Sequence, residues 1–252
     1  MSFAAIMYKV QPGHEEQIAE IFSPANFQRV TSARVHDQRG EQSGLIQATG
    51  LFIQDDTMVR VIQHQGSLAD LADHMANQPG VRAAEQTIAP FLAVPRDTST
   101  PAGFLAYFNN STMLRVQERA IEDRPGAQLA ALRYRIKPGS AEQIAAVFAD
   151  VQAEARPALR DSNGQEIGLI LAVALFIKDD SMIRVVQFDG ELEDVARYMA
   201  ARGGRPDMER RLAPYMAEER SVATPEDFLS QFRANTMRRI SMLSLATLAP
   251  SA

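Results

Sequence analysis

Residues 51–63 read LFIQDDTMVRVIQ and residues 175–187 read LFIKDDSMIRVVQ, so one stretch of this chain occurs twice. In each stretch two apolar runs flank an Asp-Asp pair, which predicts two β-strands joined by a tight turn. The match extends outward, from YKVQPG at residues 8–13 and YRIKPG at residues 134–139 to a Thr-Pro pair near each end. Because an internal repeat decides the architecture, we expect one small domain of roughly 115 residues, written twice.

The same order of elements is predicted in both copies. A β-rich run ends at Pro-Gly, apolar residues then recur at helical spacing, and the hairpin follows. After the hairpin, apolar residues again recur at helical spacing. Thr100 or Thr224 then caps a further helix with Pro in its first turn, and a last strand ends the copy. This βαββαβ order is the ferredoxin-like pattern. Since helices would cover only one face of each sheet, we expect an α+β fold whose two tandem repeats form an intramolecular pseudo-dimeric α/β barrel.

The repeat also sets the expected domain boundaries. We assign residues 1–120 to the first ferredoxin-like repeat, 121–128 to a linker, 129–246 to the second repeat and 247–252 to a tail. The last strands, within residues 113–119 and 237–243, are expected to complete their own copies. Fused pseudo-dimers can still associate through their outer helices, so a homodimer is an open alternative.

Composition and missing motifs exclude several classes of function. A net charge of -5 with interspersed signs gives no basic stripe for nucleic acid. No apolar run approaches the roughly 18 residues of a membrane span, and no secretory pattern opens the chain, so we expect a cytoplasmic protein without a membrane partner. The chain has no cysteine, which excludes thiolate nucleophiles and cysteine-ligated metals. No glycine-rich dinucleotide or phosphate loop follows a strand, so we expect no cofactor and no metal.

All four histidines lie in the first copy. Histidine is the side chain that moves protons near neutral pH, so the first copy is the favoured active site. His64 ends a hairpin strand where the second copy has Phe188, and His74 lies beside the apolar face of a helix where the second copy has Tyr198. Either histidine is a candidate general base. The alternative interpretation is a solvent-facing strand end for His64 and a half-buried helix residue for His74.

Arg60 and Arg184 lie in the middle of equivalent apolar strands. An arginine in such a strand should be paired, because burying an unpaired charge is costly. The pattern favours a structural ion pair, with Asp73, Glu85 or Glu209 as the partner. The alternative is that the arginine anchors a phenolate or carboxylate of a ligand.

Methionine and aromatic side chains are expected mostly in the core, although some could line a pocket. Methionine adapts to irregular apolar shapes, which suits a bulky, flat, hydrophobic ligand. The candidate catalytic residues are His64, His74 and Arg60. The candidate substrate-binding residues are Met58, Met75, Phe91, Phe104, Phe108, Tyr198 and Arg184.

The paired Asp-Asp hairpins ending in Arg-Val strands, the Pro-Gly after each first strand and the Thr-Pro-x-x-Phe-Leu segments resemble the SchA/CurD-like family over essentially the whole chain. Members of that family occur in actinomycete pathways for aromatic polyketides and spore pigments. The resemblance implies tailoring of a polycyclic phenolic polyketide, and some members are regarded as oxygenases that need no flavin or metal. It assigns no catalytic residue.

The resemblance, together with the missing cofactor motifs, favours cofactor- and metal-independent oxygenation of an aromatic polyketide by dioxygen, as hydroxylation or quinone formation. His64 or His74 would be the base, Arg60 would stabilise the phenolate, and apolar walls would exclude water. Two alternatives remain open. One is a polyketide cyclase or aromatase, and the other is a non-catalytic binding or chaperone protein of the pathway.

Overall fold

The computed structural model describes residues 2–23, 33–37, 39–124, 126–149, 156–203 and 205–244. The chain divides into two compact units, one made of Met1–Met113 with Arg238–Ala252 and the other of Leu114–Met237. Each unit contains a five-stranded antiparallel sheet and several helices. The predicted α+β class and the predicted duplication are therefore confirmed. The predicted tail, and residue 125 of the predicted linker, lie outside the described residues.

The first unit begins with a strand and a helix, continues with the hairpin and three helices, and ends with a strand from the end of the chain. Its elements are β1 (Ser2–Lys9), α1 (Glu15–Ile21), β2 (Arg34–His36), β3 (Gln42–Gln54), β4 (Thr57–Gln65), α2 (Leu68–Ala76), α3 (Pro79–Ile88), α4 (Pro101–Ser111) and β10 (Arg238–Ser244).

The second unit repeats this arrangement with equivalent elements. They are β5 (Leu114–Ala120), β6 (Gln128–Arg135), α5 (Ala141–Ala149), β7 (Ala158–Arg160), β8 (Glu166–Lys178), β9 (Ser181–Asp189), α6 (Leu192–Ala201), α7 (Arg205–Leu212) and α8 (Pro225–Asn235). In both units a short 3-10 turn, Ala89–Phe91 or Ala213–Tyr215, follows the third helix.

Strand order and register are the same in the two sheets. The first sheet has the order β1-β4-β3-β10 with β2 also beside β3, and the second has β6-β9-β8-β5 with β7 also beside β8. In the hairpins, Leu51 lies opposite Arg60 and Leu175 lies opposite Arg184. Equivalent positions of the two copies therefore face the same side of their sheets, because side chains alternate along a strand.

The two Asp-Asp turns have the same backbone conformation. Asp55 and Asp179 have φ values of 51° and 52°, in the left-handed region. Aspartate tolerates this region better than most residues because its short polar side chain can form local hydrogen bonds. In the first copy the Nζ of Lys9 lies 3.1 Å from an Oδ of Asp56. The sequence prediction of a tight polar turn is confirmed.

The Thr-Pro segments start helices as predicted. The hydroxyl oxygen of Thr100 accepts a hydrogen bond from the backbone N–H of Gly103 at 3.1 Å. Thr224 caps α8 in the same way, and the Asp227 carboxylate accepts from the Thr224 backbone N–H, which completes a capping box. Each cap satisfies N–H groups that have no partner inside the helix and contributes about 1 kcal/mol.

The last strand of each sequence copy forms where it was expected but pairs with the sheet of the other copy. Thr112 still makes a bridge to Ile6 of β1, and the chain then enters β5, which pairs with β8. In return, β10 pairs with β3. Grouped by contacts, residues 114–237 form one unit, and the residues up to Met113 and from Arg238 onward form the other. Because β3 and β8 have similar apolar sequences, the sequence pattern alone cannot tell which of the two strands a last strand will pair with.

Each unit has its own core between the sheet and the helices. In the first, Met58 and Ile62 pack with Leu71, and in the second, Met182 and Val186 pack with Val195. Each fully buried side chain of this kind contributes about 1.5 to 3 kcal/mol. None of the helices in the described part of the chain is long and apolar enough to cross a membrane.

Candidate functional site

Each unit has a cavity on the helix side of its sheet, and the two cavities differ greatly in size. The cavity of the first unit has a volume of about 40 Å³. The cavity of the second unit has a volume of about 590 Å³. Small-molecule sites commonly enclose roughly 300–1,000 Å³, whereas one water needs only about 10–15 Å³. The second unit can therefore hold a drug-sized ligand, and the first can hold a few waters.

The predicted catalytic residues all lie in the first unit. Arg60 and His74 line its small cavity. The Nε2 of His74 lies 3.3 Å from the amide nitrogen of Gln78. His64 is buried in the sheet between Ser2 and Ile46 and is not among the residues that line the cavity. The structure thus brings Arg60 and His74 to one cavity and leaves His64 outside it.

The predicted substrate-binding residues separate into four groups. Met58, Phe104 and Phe108 belong to the hydrophobic core of the first unit and line neither cavity. Phe91 packs edge-on against His14, with ring centroids 5.4 Å apart. Met75 lines the small cavity. Tyr198 and Arg184 line the large cavity of the second unit.

Four polar residues in the large cavity form a cluster that sequence reasoning did not assemble. The guanidinium of Arg220 forms an ion pair with Glu209, at 2.9 Å between Nη1 and Oε2. The same guanidinium lies over the ring of Tyr134, 4.8 Å from its centroid. Arg184 acts electrostatically on Tyr134 from the neighbouring strand. We call Tyr134, Arg184, Glu209 and Arg220 the second-unit tetrad.

The first unit has the equivalent tetrad, Tyr8, Arg60, Glu85 and Arg96. Arg96 forms an ion pair with Glu85 and lies over the Tyr8 ring, 4.8 Å from its centroid. The same four residue types occur at equivalent positions of both copies, and this identity could have revealed the tetrad from sequence. The sequence comparison aligned Tyr8 with Tyr134 and Arg60 with Arg184, and it named Glu85 and Glu209 as possible partners. It missed Arg96 and Arg220, which lie in irregular segments after α3 and α7.

One aromatic ring distinguishes the two tetrads. In the first unit Arg96 also lies over Tyr107, 4.0 Å from the ring centroid, and Tyr107 stacks with Tyr8. The repeat register places Gln231 at the position of Tyr107. Arg96 is therefore held between two aromatic rings, whereas Arg220 lines an open cavity.

The ion pair favoured for Arg60 and Arg184 is not what the structure shows. Glu85 and Glu209 are paired with Arg96 and Arg220 instead. Among the residues that the structure describes, no carboxylate lies within 4.0 Å of the Arg184 guanidinium, which packs 5.3 Å from the Phe148 ring centroid. The Arg184 side chain thus lies in a partly buried position, in contact with the Phe148 ring and lining the cavity.

Burial controls the charge state of the tyrosine in each tetrad. It raises the pKa of Tyr134 above its ordinary value, although Arg184 and Arg220 oppose part of this increase. It raises the pKa of Tyr8 to about 12 against the same opposing effect of Arg60. Both phenols are therefore neutral at physiological pH and can donate a hydrogen bond.

The large cavity combines a cation, a neutral hydroxyl and apolar walls. Its apolar lining includes Phe148, Met182, Met199 and Phe228. Such a cavity suits a flat, hydrophobic ligand that carries a negative charge, because the guanidinium can offset the cost of burying that charge. No group of three or more His, Asp or Glu side chains suited to a metal ion occurs within the described ranges.

Comparisons with known proteins identify relatives over nearly the whole chain. Residues 1–121 and 127–245 each match the SchA/CurD like domain. The chain is 31% identical over 212 residues to the 42.8 kDa protein in the whiE locus of Streptomyces coelicolor, covering 82% of this chain and 50% of that protein. It is 28% identical over 196 residues to a protein named polyketide synthase CurD from Streptomyces cyaneus, covering 75% and 48%.

The chain thus spans about half the length of the curated relatives it matches. A solved structure from Fusobacterium nucleatum aligns with 96% of this chain and 94% of its own at a TM-score of 0.48 and 9% identity. A likeness of that extent carries no functional inference. The two domain matches confirm the resemblance expected from the sequence, and the chain belongs to the SchA/CurD-like family.

Proposed function

We propose that this chain acts in aromatic polyketide biosynthesis and that its second unit binds and oxygenates a polycyclic phenolic intermediate without a bound cofactor. The observation that carries the proposal is the 590 Å³ cavity into which Arg184 faces without a carboxylate partner among the described residues. The name of the Streptomyces cyaneus relative supports the polyketide context. The first unit, with its small cavity, then serves as the structural counterpart.

The second-unit tetrad would prepare the ligand for reaction. The Arg184 guanidinium favours the ionised form of a bound phenol, whose pKa in water is about 10. Tyr134, kept neutral by burial, donates a hydrogen bond to the same oxygen. Two donors aimed at a developing negative charge form an oxyanion site, which is commonly the largest single contribution to catalysis.

A phenolate of this kind can react with dioxygen without an external reductant when the ring system contains a methylene group. The methylene carbon loses four electrons and two protons as its two C–H bonds are replaced by C=O. Dioxygen accepts those electrons, one oxygen atom enters the product, and the other leaves as water with the two protons. A simple hydroxylation would need two further electrons, so quinone formation is the reaction that the proposal favours.

The histidine base expected from the sequence has no place in this scheme. The second copy contains no histidine, and a cavity of about 40 Å³ is too small for a polycyclic ligand at His74. The carboxylates that line the large cavity are Glu118, Asp207 and Glu209, and each already pairs with an arginine. We therefore propose that solvent water accepts the proton of the phenol and that Arg184 stabilises the resulting phenolate.

An isotope experiment tests the proposal. The purified chain would be given a tricyclic hydroxylated anthrone, which carries a central methylene group, under ¹⁸O₂. We expect one labelled oxygen per product molecule, one dioxygen consumed, and a rate well above that of the no-enzyme reaction. An Arg184→Met variant should approach the uncatalysed rate.

The alternatives predict different outcomes. In an anaerobic assay with a linear poly-β-ketone, ring closure with loss of water would show cyclase or aromatase chemistry and overturn the oxygenase proposal. Tight binding with no acceleration would show a binding or chaperone protein of the pathway.

A further inference from the structure

A second arginine in the large cavity resembles Arg184 in having no carboxylate beside it. Arg119 lies on β5, is half-buried, and lines the same cavity. Within the described part of the chain its side chain makes no ion pair and no hydrogen bond. Its nitrogens are not among the buried atoms without a hydrogen-bond partner, so the guanidinium is accessible to a ligand that supplies the opposite charge.

The other arginines of the cavity are engaged by the protein itself. Arg205 donates to the backbone oxygens of Ala200 and Val222, at 3.1 and 2.8 Å. Arg220 pairs with Glu209. Arg202 and Arg211 also make interactions of their own. Among the arginines that line the cavity, Arg119 and Arg184 are thus the two that make no hydrogen bond or ion pair with the described residues.

The sheet register fixes how far apart these two arginines are. Arg119 lies opposite Val173 of β8, and Val173 lies opposite Val186 of β9. Arg184 is two residues from Val186, so it faces the same side of the sheet. Two strand spacings of about 4.8 Å and one two-residue step of about 6.8 Å place the two Cα atoms roughly 12 Å apart. That separation matches opposite ends of a polycyclic ligand.

The first unit lacks the second cation. Leu243 of β10 occupies the position of Arg119, lies opposite Thr49, and lines the small cavity. Among the described residues, Arg60 is therefore the only arginine that lines the small cavity, whereas the large cavity has Arg119 in addition to Arg184, the equivalent of Arg60. Arg119 is thus found in the unit with the larger cavity, and leucine is found in the unit with the smaller one. This difference suggests that Arg119 serves the ligand of the second unit and is not part of the scaffold that both units share.

We propose that the ligand of the second unit is a dianion, a polycyclic phenol that also bears a carboxylate. The phenolate binds at Arg184 and the carboxylate binds at Arg119. A carboxylate is ionised at neutral pH and matches the planar fork of a guanidinium with two parallel hydrogen bonds. This inference rests on the proposed function, since it names the substrate class of the same cavity.

Two matched ligands that cannot be oxidised further test the inference by calorimetry. One is a trihydroxyanthraquinone carboxylic acid, and the other is the same anthraquinone with hydrogen in place of the carboxylate. We expect the wild-type chain to bind the acid at least tenfold more tightly. Arg119→Leu, which installs the residue found in the first unit, should abolish this preference and leave the affinity for the second ligand within twofold. Arg135→Leu, an exposed arginine on β6, is the control and should retain the preference.

The outcomes separate this inference from the proposed function. Equal affinities of the wild-type chain for the two ligands, or an equal loss of both in Arg119→Leu, would overturn the dianion while leaving the phenol site intact. Failure of both ligands to bind would contradict the proposed function as well. If the leucine variant does not fold, as judged by circular dichroism, Arg119→Gln removes the charge with less change in polarity and gives the same readout.

Discussion

Arg60 and Arg184 show how two identical residues acquire different roles from their surroundings. Both lie at the same strand position and both pack near an aromatic ring, Phe22 or Phe148. Only Arg184 faces a cavity of ligand size. The two arginine side chains are chemically the same, but the cavity beside Arg184 is much larger than the cavity beside Arg60.

Tyr134 gives the first prediction at this scale. Tyr134→Phe removes the proposed hydrogen-bond donor to the ligand oxyanion while keeping the buried ring. We expect a loss of about tenfold in kcat/KM, in line with a hydrogen bond to a charged group. Tyr8→Phe is the matched control in the first unit and should leave kcat/KM unchanged. Equal losses in the two variants would argue that the tyrosine hydroxyl supports the fold of both units and does not act on the ligand.

The buried tyrosines also predict how stability depends on pH. The folded protein holds the Tyr8 proton more tightly than the unfolded chain, because burial raises its pKa from 10.0 to about 12. Stability from this group is therefore complete below pH 10 and is lost as the pH rises towards 12, by about 3 kcal/mol. Urea unfolding at a series of pH values measures it.

The control for this experiment is Tyr8→Phe, which has no proton to lose at this position. Its unfolding free energy should fall less steeply between pH 10 and pH 12. An identical slope in the wild type and the variant would show that Tyr8 titrates normally in the folded protein.

Sequence reasoning found part of the candidate site. Arg184 and Tyr198 were identified because comparing the copies exposes both shared and differing positions. The tetrad was missed, because Glu209 and Arg220 are separated along the chain and meet only when α7 and the segment after it fold over the sheet. The histidines led to the prediction of an active site in the first copy. The volume of a cavity depends on how the elements pack, and the sequence pattern does not reveal it.

At the scale of elements, the strands and helices were largely predictable from periodicity, and strand partners were not. Helix caps and the Asp-Asp turns are local, so a few neighbouring residues determine them. The partner of β5 or β10 depends instead on whether the strand pairs with the edge of β3 or with the similar edge of β8. A repeat with similar strands makes those edges hard to distinguish from sequence.

Cysteine pairs test the exchange of the last strands. The chain has no cysteine, so an introduced pair has no competing thiol. Thr49 lies opposite Leu243 in the paired strands, and Thr49→Cys with Leu243→Cys should form a disulfide under mild oxidation. Thr49→Cys with Arg119→Cys should not, because β5 lies in the other sheet. The reverse result, read by mass spectrometry of peptic fragments, would show that each last strand stays with its own copy.

At the scale of the whole molecule, the duplication yields two units with the same fold and unequal cavities. The tetrad is retained in both, which shows that it belongs to the fold. Tyr107 in the first unit, and Arg119 and the larger volume in the second, are the differences that bear on ligands. One copy can therefore keep the scaffold role while the other accommodates a ligand.

The most direct test of this account compares the affinity of a trihydroxyanthraquinone for Arg184→Met and Arg60→Met, measured by calorimetry. Loss of a charge-assisted interaction in the second unit should weaken binding by on the order of 10- to 100-fold in Arg184→Met. Arg60→Met should bind as the wild type does. Weakened binding in Arg60→Met with full affinity in Arg184→Met would place the ligand in the first unit and contradict the account.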